Sequence, residues 1–422
     1  MTAGLSKRGE RLVASPPLPE YIQENFARVG EACHPVSNPD GYVSMCVAEN
    51  KLTWDLLEPK MAECRDVSQS AVGYDDMIGS SSFRKELARF MGRNFLGREI
   101  SPDQVAVLSG AGSVLELLFY AICDPGDGVL VPTPSYAGFW ADLETRDELA
   151  IVPVHCSSED GFQLTRARLD DALESAGRPV TALLFTTPNN PLGWVYGSDE
   201  IEDILGWAEE RDIHVVFDEV YALSVFGDQP FVSVASLRSS LGDKLHVVWA
   251  FSKDFAMSGL RCGVLITENE AVLRAVDGLA YWACCSGDTQ QLLSQMIADD
   301  AWTDEYLAEN RRRLGDAYSR VTQSLEAIGI PYAKAEAGFF VLCDMRRFMT
   351  EVTWEAEDAL WMTLLEEANI NLTPGAACRV GEPGFMRLCF AGESTDAMLT
   401  GIERMDRVLQ SLSDQNGVDS DA

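Results

Sequence analysis

The stretch from Ala250 to Gly263, AFSKDFAMSGLRCG, carries a lysine and an arginine between two apolar runs. The runs 245–249 and 263–266 are typical of buried strands, which places Lys253 at the edge of a core. An unpaired ammonium is costly to bury, whereas a lysine that loses its proton becomes a nucleophile toward carbonyl groups. Lys253 is therefore a candidate for imine chemistry, with Arg261 as a fixed cation for an anionic group. Taken alone, the same residues also fit a solvated surface turn.

Composition narrows the class of protein. The chain has 422 residues, 46% hydrophobic and 23% charged, which indicates a globular enzyme with two lobes. A formal net charge of −33 argues against nucleic acid and anionic membrane as partners. No apolar run could cross a bilayer and the polar N-terminus lacks a secretory signal, so we expect a cytoplasmic protein. Eleven cysteines without CxxC spacing and four scattered histidines favour reduced core thiols over disulfides, and they predict no metal site.

Short apolar runs alternate with helical patterns through most of the chain. This alternation predicts a mostly parallel sheet with helices on both faces, in which ligands bind at the carboxyl ends of the strands. Asn190, Asp218 and Lys253 all follow such runs, as does the small-residue turn 109–113. A strand, a small-residue turn and a helix together offer free backbone N–H groups to a phosphate. These residues are therefore expected to meet in one site at one edge of the sheet.

The pattern changes after Gly263, where longer helices lead into a second α/β region. The sequence predicts an N-terminal arm and part of a small domain in residues 1–70, and a large domain in residues 71–300. Residues 301–422 are predicted to form the C-terminal small domain, whose polar end 413–422 is expected to be disordered. Within the arm, one short helix is predicted over residues 20–30.

Several segments together resemble the fold-type I pyridoxal 5'-phosphate (PLP) enzymes of the aminotransferase superfamily, and the 1-aminocyclopropane-1-carboxylate (ACC) synthase branch in particular. They are residues 48–50 (AEN), 83–85 (FRK), 132–139 (PTPSYAGF), 190–193 (NPLG), 218–222 (DEVYA), 252–254 (SKD) and 384–391 (GFMRLCFA). The resemblance implies an α/β fold with a mostly parallel sheet in a large PLP-binding domain, a smaller α/β domain, and a homodimer.

The resemblance also implies roles for individual residues. Lys253 would form an imine with the cofactor and then move the proton at the substrate's Cα, while Asp218 would keep the pyridine nitrogen protonated. Tyr221 and Asn190 would hydrogen-bond the phenolic oxygen of the ring, and Tyr136 would stack on the ring. The phosphate would be bound by Ala111, Gly112, Ser113, Ser252 and Arg261. Arg387 would bind the substrate carboxylate, and Glu49 would lie near a substrate sulfonium. Lys253, Asp218 and Tyr221 are the expected catalytic residues.

Three positions depart from the family pattern. Ala250 stands where many relatives carry a phosphate-binding serine, and Thr187 replaces the first asparagine of an Asn-Pro-x-Asn-Pro run. Met77 aligns with a tyrosine that, in ACC synthases, touches cofactor and substrate across the dimer interface. Tyr74 matches ordinary aminotransferases better and is a candidate substrate-binding phenol. Residues 74–79 and 286–290 are the candidates for crossing between subunits.

These residues leave more than one function open. The leading hypothesis is removal of the Cα proton of S-adenosylmethionine (SAM) and loss of methylthioadenosine from Cγ. The remaining carbon chain then either closes to ACC, or undergoes γ-substitution or annulation with a second small-molecule substrate such as a pyridine nucleotide. The absence of a tyrosine at position 77, where Met77 stands, favours γ-substitution or annulation. An amino acid aminotransferase is the alternative, favoured by Tyr74. A PLP-binding regulator fits less well, because Lys253, Asp218 and Arg387 are all present and no DNA-binding segment is appended.

Overall fold

The structure, a computed structural model, describes residues 4–34 and 36–416. The strands are β1 Val43–Ser44, β2 Val105–Leu108, β3 Gly128–Thr133, β4 Ala150–His155, β5 Val180–Thr186, β6 His214–Asp218, β7 Leu245–Ala250, β8 Gly263–Thr267, β9 Phe340–Asp344, β10 Ile370–Asn371, β11 Thr373–Pro374 and β12 Phe385–Cys389. The α-helices are α1 Lys7–Ala14, α2 Glu20–Arg28, α3 Trp54–Cys64, α4 Ser81–Met91, α5 Ala111–Ile122, α6 Phe139–Glu144, α7 Arg166–Ser175, α8 Ser198–Glu209, α9 Phe251–Asp254, α10 Glu270–Ala280, α11 Gly287–Ala298, α12 Asp300–Ala327, α13 Trp354–Glu367 and α14 Thr395–Asn416.

The central sheet has the strand order β2-β8-β7-β6-β5-β3-β4. β3, β4, β5, β6 and β7 are parallel to one another, whereas β8 is antiparallel to both β7 and β2. Strands β2, β3 and β7 are buried along their whole length, because helices cover both faces of the sheet. Burial on both faces explains why the sequences of these strands are continuous apolar runs. The strand pairing confirms the predicted α/β fold with a mostly parallel sheet.

The two faces of the sheet enter separate hydrophobic cores. Successive side chains of a strand point to opposite faces, so Val247 and Trp249 of β7 join one core and Val248 joins the other. The first core also contains Trp207 of α8, and the second contains Phe119 of α5. Because the strands are packed from both sides, the positions of their carboxyl ends are firmly defined.

A second region is built from both ends of the chain. β1 pairs in parallel with β10, and β11, β12 and β9 form an antiparallel sheet. Leu314 of α12, Trp361 of α13 and Met398 of α14 pack into one core with these strands. The pairing of β1 with β10 supports the assignment of the N-terminal segment to the small domain, although the domain limits 1–70, 71–300 and 301–422 stay a prediction.

Both chain ends differ from the expectation. The arm contains α1 in addition to α2, and the hydroxyl of Ser6 caps it by accepting a hydrogen bond from the Gly9 amide. No residue of α1 is buried, so the helix is not part of a core. The tail expected to be disordered from residue 413 is helical as far as Asn416, because α14 docks on the small-domain core, and residues 417–422 lie outside the described residues. Every helix in the described ranges is too short or too polar to cross a bilayer.

Candidate active site

Loops and helix starts at the carboxyl ends of the strands enclose a cavity of about 200 Å³. Asp218 is the last residue of β6, and Lys253 lies on the short helix α9 that follows β7. Ala111 and Gly112 begin α5 just after β2, and Tyr136 follows β3. All five line the cavity, so the structure brings these predicted residues together at one edge of the sheet.

Asn190, Tyr221, Ser252 and Arg261 line the same cavity. The side-chain amide of Asn190 donates to the Tyr221 hydroxyl at 3.4 Å, so the two polar groups face the same space. Ser113 differs from the expectation. Its hydroxyl lies 3.0 Å from that of Ser109 and does not line the cavity. A phosphate contact from the Ser113 side chain therefore stays a prediction.

Lys253 is held near the cavity wall by its own chain. Its Nζ donates to the carbonyl of Ala48 at 2.7 Å. Burial lowers the pKa of Lys253 to about 8, and the positive charge of Arg387 acts in the same direction, while Glu49 raises the pKa. About a tenth of Lys253 is thus uncharged at pH 7, a far larger share than for an ordinary lysine, and the neutral amine is the form that acts as a nucleophile or base.

This lowered pKa predicts how the apoenzyme takes up PLP. We expect the rate of covalent attachment to rise with pH and to level off above about pH 8, because only the neutral amine attacks a carbonyl. Stopped-flow absorbance measures this rate. Replacing Arg387 with methionine removes a cation that lowers the pKa of Lys253, so the midpoint is expected to move to higher pH. A wild-type midpoint near 10.5, the ordinary lysine value, would contradict the prediction.

Asp218 lines the same cavity as Lys253 and forms no ion pair with it among the described residues. Its Oδ1 accepts a hydrogen bond from the Val220 amide at 3.2 Å. Burial raises the pKa of Asp218 to about 7, against the lowering effects of that hydrogen bond and of Lys253. Ionised Asp218 is therefore poorly compensated and is suited to a protonated ring nitrogen.

Arg387 is a buried cation, only 2% exposed, without a carboxylate partner in the described part of the chain. Its guanidinium donates to Asn190 Oδ1 at 3.1 Å, to the Cys46 carbonyl at 2.5 Å and to Thr373 Oγ1 at 3.0 Å. Its Nε has no hydrogen-bond partner. A buried guanidinium held only by neutral acceptors favours an anion, and a planar carboxylate matches its geometry.

Glu49 reaches the site from the segment after β1. Its Oε1 accepts a hydrogen bond from the hydroxyl of Ser258, a residue that lines the cavity, at 3.0 Å. Its negative charge also acts on Lys253. The carboxylate thus lies at the cavity edge on the side of the lysine.

The end of the cavity at the start of α5, where the phosphate is expected, depends on a glycine. A Cβ on Gly110 would clash with the guanidinium of Arg261, and the φ of Gly110 is +96°. Only glycine therefore allows Arg261 to lie across the start of α5. Ala250 lines the cavity with a methyl group and supplies no hydroxyl.

Tyr74 and Met77 lie outside the cavity of their own chain. Tyr74 is 97% exposed, and Met77 packs partly buried against the core beneath α5. The structure of one chain thus does not bring Tyr74 to the predicted site residues. A substrate contact from Tyr74 stays a proposal that requires a second subunit.

Some residues near the site were missed by sequence reasoning. Tyr21 of α2 is buried close enough to Arg387 and Tyr136 for their charges to act on it. Asp142 of α6 lines the cavity, and Ser258 positions Glu49. The local sequence around them carries no signal of this role, since each reaches the site through tertiary packing.

The arrangement fits PLP. An amine and a carboxyl line one cavity without pairing to each other, and a hydroxyl and an amide in the same lining are hydrogen-bonded. A cation lies at a helix start suited to phosphate. The described residues contain no group of three or more His, Cys, Asp or Glu side chains placed to hold a metal ion.

Comparisons with known proteins agree with this arrangement. The family model for aminotransferase class I and II matches residues 44–405. ACC synthase 4 of Oryza sativa subsp. japonica is 36% identical, with 88% of this chain and 83% of the relative covered. ACC synthase 8 of Arabidopsis thaliana is 34% identical, with 90% and 85% covered.

Solved structures share the fold. An aspartate aminotransferase from Thermus thermophilus with maleate superposes with a TM-score of 0.81 at 23% identity, covering 96% of this chain and 99% of that chain. The chain therefore belongs to the aminotransferase class I and II family, as a PLP-dependent enzyme of fold type I that is similar to ACC synthases.

Proposed function

We propose that this enzyme acts on SAM, removing the proton at Cα and releasing methylthioadenosine from Cγ. The position of Glu49 carries the proposal. Its carboxylate is held by Ser258 at the cavity edge, close enough to Lys253 to affect its pKa. A sulfonium is a permanent cation that a carboxylate attracts, whereas an amino acid with a neutral or acidic side chain gains nothing from a carboxylate there. The similarity to ACC synthases supports the same substrate.

Bound PLP supplies an electron sink that stabilises negative charge at the substrate's Cα. We propose that Asp218 pairs with the ring nitrogen, and that Tyr221 and Asn190 hydrogen-bond the phenolic oxygen. Tyr136, 38% exposed toward the cavity, offers a flat face for stacking. The phosphate contacts are assigned to the backbone of Ala111 and Gly112 and the side chains of Ser252 and Arg261.

Two residues act on the substrate itself. Arg387 binds the α-carboxylate and so restricts rotation of the amino acid. Lys253 then removes the proton at Cα, for which its pKa of about 8 is well matched to neutral pH. When methylthioadenosine leaves, Glu49 loses its cationic partner, which favours departure of the product.

The fate of the remaining carbon chain is the finer part of the proposal. We favour γ-substitution or annulation with a second small-molecule substrate, such as a pyridine nucleotide, over closure to ACC. Support comes from Met77, a thioether without a proton to donate, at the position of the ACC synthase tyrosine. ACC formation remains an outcome of the assay below.

The test is incubation of the purified enzyme with SAM and chromatographic detection of methylthioadenosine. Release without an additive, with ACC as co-product, indicates cyclisation. Release that requires a second substrate indicates substitution or annulation. No release with SAM, together with keto acid formation from another amino acid, would instead establish the alternative, an aminotransferase. Enzyme inactivated by borohydride reduction corrects for spontaneous breakdown of SAM.

Replacing Glu49 with glutamine is expected to lower kcat/KM for SAM by about 10- to 100-fold, because a partly buried charge pair is worth roughly 1.4–2.8 kcal/mol after screening. Covalent attachment of PLP should be retained. The matched control is Ser258→Ala, which removes the hydrogen bond to Glu49 but keeps the charge, and should have a smaller effect. Equal loss in both variants would show that the charge is not used.

We also propose that a homodimer completes the site. Residues 74–79 and 286–290 lie side by side, since Gln290 accepts a hydrogen bond from the Ser80 amide and donates to the Cys285 carbonyl. Nearby, Trp282 is 74% exposed, which is unusual for so large an apolar side chain. Analytical ultracentrifugation tests this, and a monomer with full activity would refute it.

A further inference from the structure

Asp142 of α6 places a carboxyl group at the phosphate end of the cavity. Its Oδ1 lies 3.2 Å from the position of a Cβ on Gly112, beside the start of α5. The residue lines the cavity together with Arg261 and Ala250. Among the described residues its carboxyl has no hydrogen bond and no ion pair. A carboxyl group is thus free to interact with whatever fills this end of the cavity.

The charges that face Asp142 come from several elements. Desolvation of the carboxyl and the negative charge of Glu116 on α5 raise the pKa of Asp142 to about 6, and Arg261 lowers it. Asp142 in turn acts on Tyr136 and on Asp218 of β6. Glu116 is itself paired with Arg146 at 2.7 Å. Asp142 is therefore ionised at neutral pH, but a modest added negative charge is enough to favour its protonation.

A phosphate near this carboxylate creates a conflict of charge. A phosphate monoester carries about −1.5 to −2 charges at neutral pH, and two anions in a partly dry cavity repel each other strongly. Protonation of the carboxyl removes the repulsion and creates an O–H donor, whose hydrogen bond to a phosphate oxygen is short and strong. Because Ala250 stands where many relatives carry a phosphate-binding serine, one hydrogen-bond donor to the phosphate is absent, and another residue can supply it.

We propose that Asp142 takes up one proton from solvent when the cofactor phosphate binds, and then donates a hydrogen bond to that phosphate in place of the hydroxyl absent at Ala250. The proton adds to a carboxylate oxygen, and no electrons are transferred. Asp142 is thus a positioning residue for the cofactor. The proposal depends on the PLP site and is independent of whether SAM is the substrate.

Because phosphate binding is coupled to protonation of Asp142, the affinity for the phosphate depends on pH with a defined sign. The pKa of Asp142 is about 6 in the free site and is raised when the phosphate binds. Affinity for the phosphate therefore falls as the pH rises above about 6, by up to about tenfold per pH unit until the raised pKa is reached. An asparagine at position 142 carries a permanent donor and no titrating proton, so its affinity should lack this dependence.

Proton uptake tests the proposal directly. Apoenzyme is titrated with PLP at about pH 7.5 in two buffers of different ionisation enthalpy, and calorimetry gives the number of protons taken up. Wild-type enzyme is expected to take up about one proton more than Asp142→Asn, because the free carboxyl is ionised at that pH. Pyridoxal, which lacks the phosphate, serves as the second ligand and should show no difference between the two proteins.

Further variants separate the outcomes. Asp142→Ala should bind PLP more weakly than Asp142→Asn, since alanine offers no donor. Ala250→Ser restores a hydroxyl and should reduce the loss caused by Asp142→Ala. Circular dichroism of each apoenzyme identifies a variant that fails to fold. Equal proton uptake by wild type and Asp142→Asn, or the same difference with pyridoxal, would overturn the proposal, whatever the methylthioadenosine assay shows.

Discussion

Replacement of Lys253 by alanine is expected to reduce methylthioadenosine release from SAM by about 10⁴-fold, the upper range for loss of a general base. Lys253 is the amine in the cavity whose pKa, about 8, suits both attack on a carbonyl and proton removal. The absorbance of lysine-bound cofactor should vanish as well. Steady-state assays and absorption spectra of the purified variant measure the two effects.

A nearby lysine supplies the matched control. Lys51 is paired with Glu393 at 2.9 Å and is 45% exposed, so Lys51→Ala should retain nearly full activity. Added small primary amines should partly restore proton transfer in Lys253→Ala, because an amine can occupy the vacated space. Unchanged release by Lys253→Ala, or persistence of the bound-cofactor spectrum, would rule out the mechanism.

The second large effect is expected at Asp218. Asparagine has a similar shape but no charge, so it cannot keep a ring nitrogen protonated. Removing one partner of a buried pair costs roughly 3–5 kcal/mol, which corresponds to a decrease of about 10²- to 10⁴-fold in kcat. The rate of methylthioadenosine release and the cofactor's absorption spectrum report this change.

Asp212→Asn is the control for Asp218→Asn. Asp212 lies just before β6, at the end remote from the cavity, and its side chain is 89% exposed in an ion pair with Lys244. The substitution is chemically identical, so only the location differs. Similar activity in Asp218→Asn and the wild type would show that the ring nitrogen does not need this carboxylate.

The fold and most of the cofactor site could be predicted from the sequence because both depend on local pattern. A buried parallel strand is a short apolar run followed by a turn, so Asp218 and Lys253 could be placed at strand ends. The family resemblance then connected Arg387 to the site. The same reasoning did not predict the orientation of Ser113, whose hydroxyl lies within hydrogen-bond distance of the Ser109 hydroxyl. The sequence shows that a serine lies at the start of a helix, but the direction of its hydroxyl depends on its side-chain rotamer, which the surrounding residues determine.

What the sequence determined by itself is the class of chemistry: a mostly parallel α/β sheet with an amine, an acid and a phosphate-binding turn at one edge. What only the tertiary structure decided is how the distant segments meet there. The carbonyl of Ala48 holds Lys253, Ser258 holds Glu49, and Asp142 faces the start of α5. None of these pairs is near in sequence. These contacts form because whole helices and strands pack against each other. That packing is stabilised by the hydrophobic cores, and the local sequence around the contacting residues does not encode it.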